Sequence, residues 1–233
     1  MEPWCFLPHD HTVGSLASAI HHTPVMVGEV LAALQIGPCG TYVDCTVGEG
    51  GHAEAILETS PTARLIGMDL DGEALSVARK RLRPHLSRMS LVQGSFADLD
   101  ELVRGQGAKV ADGILFDLGL SSLQLDRGQR GFSFRQEARL DMRFDSGQKI
   151  TADEVVNGYA EGCLANIISV LGEEPKARGI ARAIVRDRPI DTTTRLADLV
   201  ERVTRRWTGR SRIHPATRTF QAIRMEVNGE LAN

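Results

Sequence analysis

The alternation of short apolar runs with helical patterns between residues 41 and 118 constrains the fold of this chain more than any other feature. Such alternation is typical of a parallel sheet whose strands are joined by crossover helices. Between the second and third runs, apolar residues recur at helical spacing behind Gly72 and Glu73. The sequence therefore predicts a doubly wound α/β sheet, with strands at residues 41–45, 64–70, 89–92 and 113–118.

A second, purely helical unit is predicted from about residue 150. After Ser122 the alternation gives way to a loop rich in Gly, Arg and Asp, and helical patterns without a strand signal follow it. Two apolar stripes are interpreted as core faces, with Thr194 as the N-cap of the second, and a last helix is expected near Pro215. The stripes comprise Leu164, Ile167, Ile168 and Leu171, then Leu196, Leu199, Val200, Val203 and Trp207.

The net charge of −3 conceals a strong asymmetry along the chain. Residues 176–224 contain 13 Lys and Arg against 4 Asp and Glu, which leaves +9 there and −12 elsewhere. An acidic body with one basic surface is typical of proteins that bind a polyanion such as nucleic acid. Solvated helix faces would give the same composition, so charge alone leaves both interpretations open.

Membrane, secreted and metal-binding classes are not indicated. No stretch approaches the roughly 20 apolar residues that span a bilayer, and the first 21 residues contain neither Lys nor Arg. The four cysteines are scattered, and no His, Cys and Asp cluster has metal-ligand spacing. We therefore expect a cytoplasmic protein with reduced cysteines and no metal.

A glycine-rich loop follows the first predicted strand. Gly48, Gly50 and Gly51 let the backbone turn tightly and approach a ligand closely. Gly48, Gly50 and Ala53 also satisfy a dinucleotide fingerprint. The loop alone thus leaves open a nicotinamide cofactor or a tight turn without a ligand.

Polar and aromatic residues at the ends of the first three strands favour an adenosine cofactor that carries an amino group. Asp44 can meet a cationic amine but would repel a pyrophosphate. Asp69 can accept hydrogen bonds from both hydroxyls of a ribose. Phe96 follows the third strand, where its ring is placed to stack on adenine unless it belongs to the core.

Asp117, at the end of the fourth strand, is the candidate catalytic residue. An exocyclic amine is a poor nucleophile because its lone pair is delocalised into the ring. A carboxylate that accepts the amine hydrogens would localise that pair and favour the cationic transition state. The alternative is that Asp117 only caps the turn that follows it.

Beyond these single motifs, the sequence resembles the family of bacterial ribosomal RNA small-subunit methyltransferases H, also called the MraW family, which has mitochondrial relatives. The resemblance covers nearly all of residues 22–233 and rests on several blocks in order. The blocks are His22-Thr23-Pro24-Val25-Met26, Gly50-Gly51-His52, the run from Asp117 to Asp126, Arg130-Gly131-Phe132-Ser133-Phe134, Leu140-Asp141-Met142-Arg143, Gly172-Glu173-Glu174 and the run from His214 to Arg224.

The resemblance implies a Rossmann-like methyltransferase that depends on S-adenosyl-L-methionine and has a helical insertion. It implies methylation of the N4 amino group of a cytidine in the decoding region of small-subunit (16S) rRNA. A mitochondrial matrix location would replace the cytoplasm in a eukaryote. The implied cofactor contacts are Gly50, Gly51, His52, Asp69, Phe96, Asp117 and Gln124, although His52 could instead cap its helix and Gln124 could only brace its loop.

The expected partner is small-subunit rRNA within the assembling 30S subunit, bound by basic residues near the end of the second stripe. The family lacks the aromatic motif that many amino-methyltransferases have after the fourth strand, so Phe132 or Phe134 could supply a clamp for the base, or serve ordinary packing. The expected RNA contacts are Arg205, Arg206, Arg210, Arg212, His214 and Arg218.

The predicted organisation is an N-terminal extension (1–21), a cofactor-binding core (22–148), a helical insertion for RNA (149–212) and a return helix of the core (213–233). The family continues beyond that helix with further strands, so Asn233 is expected to end a fragment. The fourth strand would then be an apolar edge, and we expect the chain alone to bind cofactor weakly, to self-associate, for example as a homodimer, and to have little activity. A non-catalytic RNA-binding fragment and a nicotinamide-dependent oxidoreductase are the competing interpretations.

Overall fold

A computed structural model describes residues 24–205 and 213–231, and its centre is one parallel sheet in the order β3-β2-β1-β4. The strands are β1 (Thr41–Asp44), β2 (Arg64–Asp69), β3 (Met89–Gln93) and β4 (Gly113–Leu115). All four predicted strands are present. β4 ends at Leu115 rather than at residue 118, because β1 ends at Asp44, the residue that pairs with Leu115.

Helices connect the strands and then form a separate layer. Three of them, α2 to α4, are the crossovers between consecutive strands. The α-helices are α1 (Val27–Leu34), α2 (Gly51–Thr59), α3 (Gly72–Arg81), α4 (Leu99–Gly105), α5 (Ser122–Asp126), α6 (Ala152–Gly158), α7 (Glu161–Val170), α8 (Ala177–Asp187), α9 (Thr193–Thr204) and α10 (Thr217–Asn228). No described helix is long and apolar enough to cross a membrane.

The sheet is covered on both faces, as the doubly wound prediction requires. Successive residues of a strand point to opposite faces, so Tyr42 and Val43 enter different cores. Tyr42 and Leu65 pack with α2 and α3, whereas Val43 and Ile66 pack with Val103 of α4. This arrangement confirms the predicted α/β class.

β4 is the edge strand of the described sheet, and its apolar side chains are open. Ile114 is 44% exposed and Phe116, directly after the strand, is 46% exposed. Apolar edges of this kind favour association with another chain or segment. The predicted apolar edge is therefore present in the structure.

The helical unit has a continuous core of its own, and the predicted stripes contribute to it. Leu164, Ile168, Leu196 and Val200 are fully buried there. The predicted cap of α9 is wrong, because the Thr192 hydroxyl, not that of Thr194, accepts a backbone N–H at its start. The Thr194 hydroxyl instead donates to Glu137, and Trp207 lies outside the described residues.

The helix α10 shares the core of the helical unit rather than that of the sheet. Phe220, Ile223 and Val227 pack with α6 and α7. Phe132 and Met142, from the loop before residue 149, join the same core. The packing thus differs from the expected return of 213–233 to the sheet, because the apolar stripe of α10 is covered by helices.

Candidate active site

A cavity of about 430 Å³ lies at the carboxyl edge of the sheet. This volume falls within the range of small-molecule sites, and the position is the one where open α/β sheets bind ligands. Most of the predicted cofactor residues line it, namely Gly48, Gly51, His52, Asp69, Phe96, Asp117 and Gln124. Gly50 and Asp44, two further predicted cofactor residues, are not part of its lining.

The glycine loop is held in its shape by left-handed residues and by a contact with β2. Gly48 and Gly50 have φ angles of 50° and 84°, a region that strains other residues. A Cβ on Gly50 would lie 3.3 Å from both Ala78 and Leu82, so this glycine serves the approach of α3. The Gly48 N–H donates to the Asp69 carboxylate at 2.9 Å, which fixes the loop against the end of β2.

Asp69 is held by the backbone and keeps acceptor capacity for a ligand. Its two oxygens accept the N–H groups of Gly48 and Asp71, each at 2.9 Å. Each carboxylate oxygen has a second lone pair, which a hydroxyl of a ligand could use. Burial raises the pKa of Asp69 above its ordinary value.

Asp44 presents a buried carboxyl oxygen without a partner. The residue is 1% exposed, and its Oδ1 accepts the Thr46 N–H at 3.1 Å, whereas no described residue donates to Oδ2. Burial raises the pKa of Asp44 to about 7, and the neighbouring Asp69 and Asp117 carboxylates add to the effect. A cation bound nearby would favour the ionised form and lower that pKa.

The neighbouring thiol, Cys45, lines the cavity but has no nucleophilic character at neutral pH. Burial and the Asp44 carboxyl raise the pKa of this thiol to about 12. A thiol must be ionised to act as a nucleophile or metal ligand.

Among the residues that the structure describes, no group of three His, Cys, Asp or Glu side chains could hold a metal ion.

Asp117 stands open to the cavity opposite His52. Its backbone N–H donates to the Thr46 hydroxyl at 2.7 Å, and its side chain is 48% exposed. The His52 Nε2–H donates to the Val25 carbonyl at 2.9 Å, and Nδ1 lies 3.8 Å from Asp117 Oδ2. His52 does not cap α2, because its ring is turned toward Val25 and α2 begins without a side-chain cap.

Phe96 and Gln124 both line the cavity, but their contacts differ. Phe96 meets Phe116 edge to face at a centroid distance of 5.6 Å. Gln124 is 4% exposed; its Oε1 accepts the Ser121 N–H, and its Nε2 donates to Asp71 at 3.2 Å. Gln124 therefore braces its loop, as one of the two interpretations expected, while it also faces the cavity.

A second aromatic residue at the cavity, besides Phe96, is not one of the two considered as a clamp for the base. Phe132 is buried and stacks on Phe144 at 5.6 Å, and Phe134 packs between His214 and Phe220. Both predicted rings thus serve the helical core, whereas Phe144 lines the cavity. Sequence reasoning missed Phe144 because no local pattern distinguishes it from the other loop aromatics.

The predicted RNA residues are spread over several environments. Arg205 is exposed and lies 3.9 Å from Glu201, and Arg218 donates to the Glu173 carbonyl at 3.2 Å. The His214 ring lies tilted against Phe134 at a centroid distance of 4.5 Å, and its Nδ1 accepts the Ala216 N–H. Arg206, Arg210 and Arg212 lie outside the described residues.

Comparison with known proteins gives one family and a set of longer curated relatives. The sequence model of the MraW methylase family matches residues 19–233. The "Ribosomal RNA small subunit methyltransferase H" of Dehalococcoides mccartyi is 50% identical over 213 residues, which are 91% of this chain and 60% of that protein. The protein of the same name from Methylobacterium nodulans is 50% identical over 214 residues, 90% of this chain and 62% of the relative. The chain thus spans about 60% of the length of these curated relatives.

Solved structures show weaker similarity. A putative rRNA-methylase from Clostridium thermocellum has 20% identity and a TM-score of 0.37, covering 41% of this chain and 53% of the other. An rRNA methylase from Streptococcus thermophilus has 19% identity and a TM-score of 0.31, covering 45% of this chain and 63% of the other. Each similarity extends over less than half of the chain.

Proposed function

Because this chain belongs to the MraW methylase family, we propose that it provides the cofactor site and part of the RNA site of a methyltransferase that modifies small-subunit rRNA. The proposed target is the N4 amino group of a cytidine in the decoding region. Membership of this family supports a methyltransferase that uses S-adenosyl-L-methionine, in preference to the nicotinamide-dependent alternative. The names of the relatives support rRNA as the substrate, and their bacterial sources support a cytoplasmic location.

The observation that carries this proposal is the distribution of three carboxylates at one edge of the sheet. Asp44 has a buried oxygen to which no described residue donates, Asp69 keeps acceptor capacity beside the glycine loop, and Asp117 faces the open cavity. A cationic ammonium, a ribose and an exocyclic amine are the groups that these three environments suit. A pyrophosphate would meet repulsion at the same edge.

Different residues at the cavity would bind different parts of the cofactor. Asp69 would accept hydrogen bonds from the ribose hydroxyls, and Phe96 would cover the adenine. The negative charge of Asp44 would favour the ammonium of the methionine part from behind the glycine loop. When bound, S-adenosyl-L-methionine supplies an electrophilic methyl group on its sulfonium.

Asp117 would act on the target amine. Its carboxylate is open to the cavity and its backbone is fixed by Thr46, so it can accept a hydrogen of the amine and localise the nitrogen lone pair. The same oxygen can take up the proton that the nitrogen loses as the N–C bond forms. Positioning would contribute most of the rate gain, an effect that can reach roughly 7–11 kcal/mol.

The helical unit would hold the RNA. Within the described residues, several arginines of α8 and α9 already pair with acids, as Arg202 does with Asp187 at 3.3 Å, so only part of the positive excess is open. Arg205 and the arginines at 206, 210 and 212 are proposed to contact phosphates. The assembling 30S subunit as substrate and a homodimer through the β4 edge are further parts of the proposal.

The test is methyl transfer from labelled S-adenosyl-L-methionine to small-subunit rRNA, offered both free and as 30S particles, followed by nucleoside analysis. We expect N4-methylcytidine with a chain extended to the length of the curated relatives, little of it with the 233-residue chain, and its loss when Asp117→Asn is introduced into the extended chain. Label on another nucleoside would contradict the proposed target. RNA binding without any cofactor binding would instead favour a non-catalytic RNA-binding fragment.

A further inference from the structure

An ion pair between buried Asp71 and partly buried Arg130, which the proposed chemistry does not use, connects the cofactor side of the cavity with the helical unit. Asp71 is 2% exposed and follows β2 by two residues. Its N–H donates to the Asp69 carboxylate at 2.9 Å, and its own Oδ1 accepts the Glu73 N–H at the start of α3. Its remaining oxygen, Oδ2, pairs with Arg130 and accepts the Gln124 amide.

The guanidinium of Arg130 spans from Asp71 to the other unit. Its second nitrogen, Nη2, donates to the carbonyls of Arg143 and Phe144 at 2.8 and 2.9 Å. The Phe144 N–H in turn donates to Asn228 Oδ1 of α10 at 2.7 Å. A continuous set of hydrogen bonds therefore runs from Asp69 through Asp71 and Arg130 to Phe144 and α10.

Stability alone is a weak account of this pair. Replacing a buried ion pair with well-packed apolar side chains often stabilises a fold as much or more. The planar guanidinium, in contrast, fixes several acceptors in one geometry. What Arg130 provides is therefore the placement of the 143–144 segment relative to the end of β2.

Arg143 offers an internal comparison. It lies in the same loop and its side chain is as enclosed as that of Arg130, at 22% against 20% exposure. It pairs with Asp141 and donates to the carbonyls of Ser146 and Gln148. These contacts hold the loop to itself and do not reach the sheet.

We propose that Arg130 is a positioning residue that couples cofactor binding at Asp69 to the placement of Phe144 and α10. This inference rests on the proposed function, since it needs a ribose on the Asp69 carboxylate. A bound ribose fixes the turn from Asp69 to Asp71, Asp71 fixes Arg130, and Arg130 fixes the Phe144 carbonyl at the cavity. Such coupling is reciprocal. The factor by which bound cofactor tightens RNA binding to the helical unit is also the factor by which bound RNA tightens cofactor binding.

The test is amide hydrogen exchange with and without S-adenosylhomocysteine, which occupies the cofactor site without turnover. In the wild-type chain and in Arg143→Gln, we expect binding to slow exchange at the Phe144 amide and in α10 by about 5-fold or more, the lower end of typical coupling factors. In Arg130→Gln, binding should still slow exchange at the Asp69 turn and in the glycine loop, but no longer at the Phe144 amide or in α10. A second readout is the affinity for S-adenosylhomocysteine, measured with and without a small-subunit rRNA transcript. The ratio of these two affinities should approach one in Arg130→Gln.

The Arg130→Gln replacement leaves Asp71 as a buried charge without its partner and could unfold the chain. The double replacement Asp71→Asn/Arg130→Gln removes both charges and serves as the second variant, with thermal melting as the check on folding. Equal protection of α10 in wild type and in the folded double variant would overturn the coupling. Failure of S-adenosylhomocysteine to bind the wild-type chain would instead overturn the proposed function and the coupling with it, so the two failures are distinguishable.

Discussion

The sheet unit and the helical unit differ in where their polar groups lie. In the helical unit, buried Asn228 donates to the carbonyls of Met142 and Arg224 within a continuous apolar core. In the sheet unit, Asp69 and Asp117 line an open cavity at the carboxyl edge, next to the Asp44 oxygen to which no described residue donates. The helical unit also buries the Thr219 hydroxyl without a partner among the described residues, so a missing partner alone does not identify a site. What favours the sheet edge for the chemistry is that several carboxylates converge on one cavity.

The largest expected effect is on catalysis at that edge. Asp117→Asn should lower methyl-transfer turnover by about 10²- to 10⁴-fold, because the amide accepts the amine hydrogens poorly and takes up no proton. Cofactor affinity should change less, since the carboxylate matters most as charge develops. The control is Asp112→Asn, near the opposite end of β4, where the carboxylate accepts the Thr41 N–H. Equal losses in turnover and affinity would reduce Asp117 to a binding residue.

In the helical unit, the expected effect is on stability. Ile168→Ala should lower the free energy of unfolding by about 2–5 kcal/mol, because it leaves a cavity in a fully enclosed core. Val170→Ala, on the same helix but 61% exposed, should stay within about 0.5 kcal/mol. Urea unfolding of both variants makes the comparison. Similar small losses in both would contradict the enclosed apolar core described for the helical unit.

The third prediction concerns the pH dependence of stability, which Asp44 should dominate at the sheet edge. Its pKa is raised from 3.8 to about 7, so between these values the folded protein holds a proton that the unfolded chain has lost. Stability therefore falls as pH rises from about 4 to 7, by at most about 4 kcal/mol for this residue. Asp44→Asn should flatten the curve of unfolding free energy against pH over that window. Parallel curves for wild type and variant would contradict the assigned burial effect.

A smaller effect is expected on cofactor affinity. Asp69→Ala should weaken S-adenosyl-L-methionine binding by about 1–3 kcal/mol, because ribose hydroxyls would lose their acceptors in a desolvated site. Asp98→Ala, an exposed acid that follows β3, should leave the dissociation constant unchanged. Isothermal titration of both variants provides the measurement. An unaltered constant in Asp69→Ala would remove this residue from the site.

The smallest effect belongs to the surface of the helical unit. Arg205→Gln should reduce the salt dependence of RNA binding by about 0.7–0.9 in log–log slope, the value for one lost phosphate contact. The matched control is Arg104→Gln on the sheet unit, since both arginines are exposed and pair with an acid four residues earlier. Binding curves at several salt concentrations separate the two. Equal slopes in both variants would leave Arg205 as solvated surface.

The sequence predicted the sheet unit well because its signals are local. Short apolar runs set the four strands, and the carboxylates at their ends met at one edge because parallel strands end on the same side. Asp69 and Asp117 therefore reached the cavity as expected. Ser121 and Gln124 form a capping box at the start of α5. Their spacing in the sequence is typical of this motif, although no helix was predicted there.

The features that sequence reasoning missed depend on contacts between distant residues. Asp71 and Arg130 are 59 positions apart, and nothing near either residue indicates the other. The packing of α10 on α6 and α7, and the choice of Phe144 over Phe132 at the cavity, follow from how the loop folds back on the helices. At the start of α9 the sequence pattern favoured Thr194 as the cap, whereas the backbone geometry selects Thr192.

The most direct test of the division between the two units is a crystal structure of the chain with S-adenosylhomocysteine. We expect the ribose hydroxyls within hydrogen-bonding distance of Asp69, the ammonium on the Asp44 side of the glycine loop, and the sulfur facing Asp117. A ligand bound between the helices, or a ribose held by other residues, would contradict the assignment of the chemistry to the carboxyl edge of the sheet.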